Sequence, residues 1–454
     1  MRRPQSPLFD SFALGVQKRR LWSPHSKTGL LFLPLFALTL YPPQAFDEIL
    51  YHLSFVRSIA TSGAIRFLPQ LRFPIFPQLH ESLCAPIFLA FGDTATHVVA
   101  FAEIILLAAI LIEWRGNLAA AIALGSPIVV HIGTITYVDA ALALFVAAGF
   151  YCLDREKYAW SALLLGTACS VKYLGLYFAG VALLVILIRH RRELPMFLAT
   201  LIAAMTPMYA RIVALAGNPV FPFFGKSPWA FPMEKHFVLP WRLLYDITFA
   251  RARTGMQPPY SPLFAIALLI TIVAAFRNRR AMFVALLSIV YIAILAFLPS
   301  ESRYLLPLAP LVAVVVAELA PKRNVLALIA IAPAILYACY RLVLLGPLPL
   351  TPPKREAFLE ARLDGYRALK QRGPGRIYVC GAELLKYYGG DDFVGDVYGP
   401  QLERPPDVRN VLIVHKNCEP PRGFERVYSD GNAELWRAPG RRTYSPPISK
   451  PGGL

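Results

Sequence analysis

Charged residues are scarce in this sequence. Asp, Glu, Lys and Arg make up only 16% of its 454 residues, and 56% are hydrophobic. A soluble globular chain carries about 25% charged residues, so these proportions exclude an ordinary cytosolic enzyme. They also exclude a disordered chain, because disorder needs low hydrophobicity. The apolar residues fall in long blocks, and the mean hydropathy is +0.49. This pattern predicts a multi-span membrane protein.

Several motifs of soluble proteins are also missing. No Gly-rich phosphate loop follows a predicted strand, so we expect no nucleotide site. The six cysteines show no metal-binding spacing. Cys380 and Cys418 lie in the polar C-terminal part and could pair if that part is extracytoplasmic. Acidic residues number 28 against 46 Lys and Arg, which gives a net charge of +18. The basic residues form short runs between apolar blocks, so we expect no nucleic-acid binding.

The apolar blocks divide the chain into domains. Residues 1–27 form a basic tail that we place in the cytoplasm, and residues 28–349 form the membrane domain. No small-residue cleavage site follows the first apolar block, which predicts an uncleaved first span. About eleven spans are predicted, at residues 28–42, 94–114, 118–137, 139–153, 158–171, 173–189, 195–216, 261–276, 281–298, 303–320 and 325–345. Every link on the predicted cytoplasmic side contains Lys or Arg. The odd span count then places the C-terminus outside.

The first outer link, residues 43–93, has mixed character. Its early part is amphipathic and predicts a helix at the membrane surface. The apolar piece 82–91 is too short to cross a hydrocarbon core of about 30 Å, so we expect it to be juxtamembrane or re-entrant.

Residues 350–441 are predicted to form a soluble extracytoplasmic α/β domain. The segment 354–372 has helical character. The runs 376–380, 411–415, 424–428 and 433–437 have the composition of strands. Residues 442–454 are rich in Pro and Gly and are predicted to be disordered.

Ionisable and polar residues gather at the predicted outer ends of the spans. They are Asp47, Glu48, His80, Glu81, Asp139, Lys172, Asn218 and Arg303. Charge next to hydrocarbon is costly, so the adjacent acids Asp47 and Glu48 are functional candidates by default. None of the set is predicted at the bilayer midplane, where a transporter tends to place its coupling groups.

Each candidate also has a structural explanation. Asp47 and Asp139 could cap helices, and His52 could hydrogen-bond a backbone carbonyl. Lys172 and Arg303 could extend to the interface beside Tyr304, and Asn218-Pro219 is first of all a turn. Arg211 lies inside an apolar run and needs an anionic partner. His80 and Glu81 could be metal ligands or an ordinary helix start.

Several motifs together resemble a known family. They are FDEILYHL at 46–53, FPIFPQLHESL at 73–83, TYVDA at 136–140, SVKY at 170–173, GNPVFP at 217–222 and SRYLLP at 302–307. Their order resembles the polytopic glycosyltransferases that use lipid-phosphate sugars, the GT-C superfamily. The resemblance is greatest to bacterial relatives of the protein O-mannosyltransferases and aminoarabinose transferases. It extends from about residue 28 to 345.

The resemblance implies a membrane all-α helical bundle in the bacterial inner membrane. Its expected donor is a polyprenyl-phosphate-linked sugar, and the acceptor is open between protein, glycolipid and polysaccharide. Asp47 is the expected general base, with Glu48 and Asp139 as further catalytic candidates. The expected substrate-binding residues are His52, Glu81, Lys172, Arg211, Asn218, Arg303 and Tyr304. The need for a divalent metal is open, and its candidate ligands are Glu48, His80, Glu81 and Asp139. The alternative hypothesis is a transporter or lipid flippase.

Overall fold

The computed structural model describes residues 32–71, 73–224, 237–250, 257–320, 324–395, 408–415 and 418–439. The predicted N-terminal tail 1–27, the start of the first predicted span and the predicted disordered tail 442–454 lie outside these ranges.

The main body is a bundle of helices. In chain order it contains α1 (Leu33–Leu38), α2 (Leu53–Ser62), α3 (Leu79–Phe91), α4 (His97–Arg115), α5 (Asn117–Leu124), α6 (Pro127–Ile132), α7 (Asp139–Asp154), α8 (Tyr158–Val171), α9 (Gly175–Arg189), α10 (Leu194–Ala216), α11 (Pro240–Phe249), α12 (Pro262–Ala274), α13 (Arg279–Leu295), α14 (Ala309–Leu319) and α15 (Asn324–Leu345). Three described stretches are long and apolar enough to cross a membrane: Thr94–Arg115, Arg191–Ala216 and Asn324–Leu345. Several shorter apolar helices pack among them.

The outside of the bundle is strongly apolar. Val273 of α12 is 62% exposed and Val343 of α15 is 82% exposed, while Phe276 just beyond α12 is 89% exposed. Such a surface would aggregate in water, and it suits contact with lipid tails. The chain is therefore a multi-pass membrane protein, as the composition predicted.

Two predicted spans are not continuous helices, which corrects the prediction. The span 118–137 is broken between α5 and α6 at Gly125-Ser126-Pro127. Pro127 has no N–H to continue the helix, and a Cβ on Gly125 would overlap the carbonyl of Ala330 in α15. The span 303–320 begins with a 3₁₀ turn, Ser302–Leu305, and is α-helical only from Ala309.

Residues 43–93, the predicted first outer link, contain short helices, as expected. A π-helical turn at Glu48–His52 leads directly into α2, and α3 packs against α2. π-helical turns are rare and are frequent at functional sites. The location of α3 relative to the bilayer stays a prediction.

The C-terminal part forms a small α/β unit, and the predicted strands are confirmed. It contains α16 (Pro352–Arg362), α17 (Tyr366–Lys370), β1 (Arg376–Cys380), α18 (Lys386–Gly389), β2 (Phe393–Gly395), β3 (Val408–Val414), β4 (Glu425–Ser429) and β5 (Ala433–Arg437). The sheet order is β2-β1-β3-β5-β4, with β1 parallel to both β2 and β3 and the other pairs antiparallel. Strand β2 was not predicted. Cys380 and Cys418 are joined by a disulfide.

This unit is docked on the first outer link. Ile49 and Leu53 share a buried core with residues of the sheet, including Leu412. Arg355 of α16 donates to Asp93 at 2.7 Å, between its Nη2 and Oδ2. The unit therefore packs directly against the turn that follows Asp47.

Candidate active site

Glu48 anchors the π-helical turn. Its Oε1 accepts from the backbone N–H of Thr136 and from Nε2 of His97, each at 2.7 Å. Its Oε2 accepts from the backbone N–H groups of Gln44 at 3.1 Å and Ala45 at 3.2 Å. The side chain is completely buried. Glu48 therefore ties the turn to α4 and to the segment before α7, with both oxygens engaged.

His97 completes this anchor. Its Nδ1 lies 3.1 Å from the carbonyl oxygen of Thr39, and its Nε2 faces Glu48. Both partners are acceptors, so both ring nitrogens donate and the ring is an imidazolium. The buried acid is thus matched by a buried cation.

Asp47, the neighbouring acid, faces a different group. Its Oδ2 lies 2.5 Å from Nη2 of Arg303, and its backbone N–H donates to the hydroxyl of Tyr137 at 2.9 Å. Burial raises the pKa of the Asp47 carboxyl, but Arg303 and His52 together outweigh burial and hold that pKa below its ordinary value. Asp47 is therefore ionised at neutral pH.

Asp139 and Lys172 form a second ion pair in the same place. Asp139 is the first residue of α7, where the helix dipole favours an anion, and its Oδ1 accepts from Nζ of Lys172 at 2.8 Å. Its Oδ2 lies 4.0 Å from Nε of Arg303. The guanidinium of Arg303 lies 4.9 Å from the ring centre of Tyr137 and 5.4 Å from that of Tyr304. Lys172 lies 4.6 Å from the Tyr304 ring centre.

Glu301 also belongs to this group, and sequence reasoning missed it. Its Oε2 lies 3.8 Å from Nε of Arg303, and its side chain is 24% exposed. The available signal was an acid two positions before Arg303 in an outer link. The site cluster is defined here as Asp47, Asp139, Lys172, Glu301 and Arg303.

The site cluster contains buried polar atoms without partners. Among the described residues, Oδ2 of Asp139, Oε2 of Glu301 and Nε of Arg303 have no hydrogen bond. Buried polar atoms are almost always paired with protein, water or ligand. The cluster therefore has the capacity to bind a polar ligand, and Arg303 and Lys172 give it a site for an anionic group.

Two histidine–carboxylate pairs are formed by further candidate residues. Nδ1 of His52 lies 2.7 Å from Oε1 of Glu81, and the His52 ring centre lies 5.5 Å from that of Tyr137. Nδ1 of His80 lies 2.9 Å from Oε1 of Glu103. The metal candidates Glu48, His80, Glu81 and Asp139 are thus engaged in separate pairs. Within the described ranges no three His, Cys, Asp or Glu side chains form a metal-ligand group. The described residues do not fit a metal site.

Two predicted substrate-binding residues make their hydrogen bonds outside the site cluster. Arg211 is exposed on α10 and donates from Nε and Nη2 to the carbonyl of Ile65, at 3.0 and 2.8 Å. Its partner is a neutral carbonyl and not the anion that the sequence suggested. Asn218 is engaged in its own turn, where Nδ2 donates to the carbonyl of Phe223 at 2.8 Å.

A second group of charges lies at the other end of α7, and we define it as the distal cluster: Arg115, Asp154, Arg280 and Glu318. Arg280 donates to Oδ1 of Asp154 at 2.8 Å and to Oε2 of Glu318 at 2.6 Å. Trp114 donates to Oδ2 of Asp154 at 2.8 Å. Arg115 lies 3.6 Å from Asp154.

No protein-family model and no curated protein matches this chain by sequence. Two solved structures of ArnT from Cupriavidus metallidurans do match by fold. The structure bound to undecaprenyl phosphate has a TM-score of 0.59 at 14% identity, and the apo structure has 0.56 at 13%. Each comparison covers 90% of this chain and 96% of the ArnT chain. The chain therefore shares the ArnT fold over nearly its whole length.

Proposed function

We propose that this protein is an integral-membrane glycosyltransferase. It moves a sugar from a polyprenyl-phosphate donor to a hydroxyl of an acceptor at the extracytoplasmic face. The observation that carries the proposal is the site cluster, where an arginine and a lysine meet carboxylates and unpartnered polar atoms. The fold supports it, because one ArnT structure of this fold is bound to undecaprenyl phosphate.

The donor phosphate binds between Arg303 and Lys172. Arg303 uses Nη2 on Asp47, while its Nε is buried and makes no hydrogen bond in the described part of the chain, with Glu301 and Asp139 3.8 and 4.0 Å away. A guanidinium grips phosphate through two parallel N–H bonds, and Lys172 adds a point charge. These two cations stabilise the charge that grows on the phosphate as it leaves.

Asp47 acts as the general base, and the donor controls its strength. While Arg303 pairs with Asp47, the pKa of that carboxyl stays low and the carboxylate is a weak base. A phosphate that competes for Arg303 weakens the pair and makes Asp47 more basic. The base is therefore strongest when the donor is in place.

The reaction is a direct displacement. The acceptor oxygen forms a bond to the anomeric carbon as its proton passes to Asp47. The bond from that carbon to the phosphate oxygen breaks, and polyprenyl phosphate leaves with the electron pair. One displacement inverts the anomeric centre.

The other candidates act through position. Asp139 holds Lys172, and Glu48 with His97 fixes the turn that carries Asp47. The His52–Glu81 pair lies beside Tyr137 on the acceptor side, where it orients the incoming hydroxyl.

A transfer assay tests the proposal. The full-length protein in lipid nanodiscs is given undecaprenyl-phosphate sugars and envelope extracts as acceptor, and the release of undecaprenyl phosphate is measured. We expect release that depends on acceptor and is lost in Asp47→Asn, with lipid binding retained. Movement of the lipid between leaflets without cleavage of any glycosidic bond would support the flippase alternative and overturn the proposal.

A further inference from the structure

Glu301 is held at the site by its backbone. Its N–H donates to the carbonyl of Pro299 at 2.8 Å, and its carbonyl accepts from the N–H of Tyr304 at 3.1 Å. These bonds fix the turn between α13 and α14. The side chain is directed toward Arg303, where Oε2 lies 3.8 Å from Nε, beyond hydrogen-bond distance.

Glu301 is the carboxyl of the site cluster that has no cation within hydrogen-bond distance, because Nε of Arg303 lies 3.8 Å from its Oε2. Asp47 lies 2.5 Å from Arg303, and Asp139 lies 2.8 Å from Lys172. Each of these two acids therefore has a cation in direct contact. Oε2 of Glu301, by contrast, is buried and has no hydrogen bond to any described residue.

The charge balance of the cluster also singles out Glu301. If all three carboxyls were ionised, two cations would face three anions, and an anionic phosphate would enter a site that is already negative. One proton on a carboxyl gives a neutral cluster. Asp47 and Asp139 each have a cation in direct contact and Glu301 does not, so we assign the proton to Glu301.

The surroundings of Glu301 raise the pKa of its carboxyl. Burial raises the pKa of its carboxyl, and this exceeds the lowering by Arg303 on its own turn. Asp47 on the outer link and Asp139 at the start of α7 raise the pKa further, and Lys172 after α8 lowers it.

We propose that Glu301 is a protonated carboxyl in the resting site and that it donates a hydrogen bond to a phosphate oxygen of the lipid donor beside Arg303. This inference rests on the proposed function, since it concerns the same donor. It makes donor binding sensitive to pH. As pH rises through the pKa of Glu301, the donor hydrogen is lost and a second negative charge faces the phosphate.

The test measures binding of undecaprenyl phosphate to full-length protein in nanodiscs between pH 5 and 9. Wild type, Glu301→Gln and Glu301→Asp are compared, with Glu318→Gln of the distal cluster as the matched control. Titration of the lipid phosphate itself is common to all four proteins, so the ratio of each Kd to that of Glu301→Gln removes it. Thermal unfolding checks that each variant is folded.

We expect the wild-type ratio to be constant at acid pH and to rise by up to about tenfold per pH unit above the pKa of Glu301. Glu301→Asp and Glu318→Gln should keep this dependence, because both retain a carboxyl at the site. Parallel wild-type and Glu301→Gln curves at every pH would overturn the proposal. So would a Glu301→Gln protein that binds but transfers no sugar, which would make Glu301 a base.

A second measurement needs no variant. Infrared difference spectra of the wild type between acid and alkaline pH should show loss of a protonated carboxyl band, and lipid binding should shift that band. No such band at any pH would overturn the inference while leaving sugar transfer intact. A wild type that binds no undecaprenyl phosphate at all would overturn the proposed function instead.

Discussion

The site cluster and the distal cluster lie at opposite ends of the same helices. Asp139 begins α7 and Asp154 ends it, about 22 Å away at 1.5 Å per residue. Arg303 precedes α14, and Glu318 is next to its last residue. Each cluster combines two cations with carboxylates, so composition alone does not distinguish them.

Completeness of pairing does distinguish them. In the distal cluster both oxygens of Asp154 accept hydrogen bonds, one from Arg280 and one from Trp114. In the site cluster Asp139, Glu301 and Arg303 each keep a buried atom without a hydrogen bond to the described residues. A cluster whose buried atoms are all hydrogen-bonded is typical of a structural contact, whereas unbonded buried atoms leave positions for water or a ligand. Charge composition alone therefore does not indicate function, and the hydrogen bonds of each charged group must also be compared.

The largest expected effect is the difference in transfer activity between Asp47→Asn and Asp154→Asn. Asp47→Asn keeps the shape of the side chain but accepts no proton, so transfer should fall by roughly 10²–10⁴-fold. Asp154→Asn should leave transfer per folded molecule unchanged and lower stability by about 3 kcal/mol or more, because two arginines lose their buried partner. Turnover and thermal unfolding of the two purified variants check this.

Near wild-type turnover in Asp47→Asn would contradict the base assignment. If Asp47 only capped a helix, the Asn variant should keep its turnover, since Asn and Asp rank alike as caps. No side-chain cap hydrogen bond is formed by Asp47 in the structure.

The next effect compares two arginines. Arg303→Lys keeps the charge and loses the planar fork, so affinity for undecaprenyl phosphate should fall about 10- to 100-fold. Arg280→Lys should leave that affinity unchanged and lower the unfolding temperature. Equal affinity losses in both variants would indicate a general electrostatic effect and break the distinction between the clusters.

A smaller effect on transfer is expected at Glu48, the neighbour of Asp47. Glu48→Gln keeps an acceptor for the Thr136 N–H but removes the charge that matches His97. Stability should fall by roughly 3 kcal/mol, while turnover of the folded fraction falls less than tenfold. A loss as large as that of Asp47→Asn, without loss of stability, would assign Glu48 a chemical role.

The last prediction concerns only the side of the membrane on which each segment lies. Reporter fusions at residue 350 and within 277–280 should report opposite sides of the membrane, with residue 350 outside. The site cluster then faces the exterior and the distal cluster the cytoplasm. Reports of the same side would contradict the predicted topology.

Local patterns in the sequence predicted much of this structure. Short runs of strand-like composition located β1 and most of β3, and hydropathy located the long helices. The break at Gly125-Ser126-Pro127 was missed, because the apolar residues continue through it and the break depends on the approach of α15. Strand β2 was missed, because a strand of three residues is too short to show an alternating pattern.

The site was predictable by residue type but not by pairing. The motifs located Asp47, Asp139, Lys172 and Arg303, which the fold brings together. They did not show that Glu48 accepts hydrogen bonds from backbone N–H groups or that Arg211 donates to a loop carbonyl. Nor did they show that Glu301 belongs to the site cluster. Those facts depend on contacts between residues far apart in the chain.

An experimental structure of the full-length protein in nanodiscs with undecaprenyl phosphate tests the central claim most directly. We expect the phosphate within about 3 Å of the guanidinium of Arg303 and near Nζ of Lys172, with the Arg303–Asp47 contact lengthened. The distal cluster should be unchanged from its present pairs. A phosphate bound elsewhere, with Arg303 still fully paired to Asp47, would contradict the account.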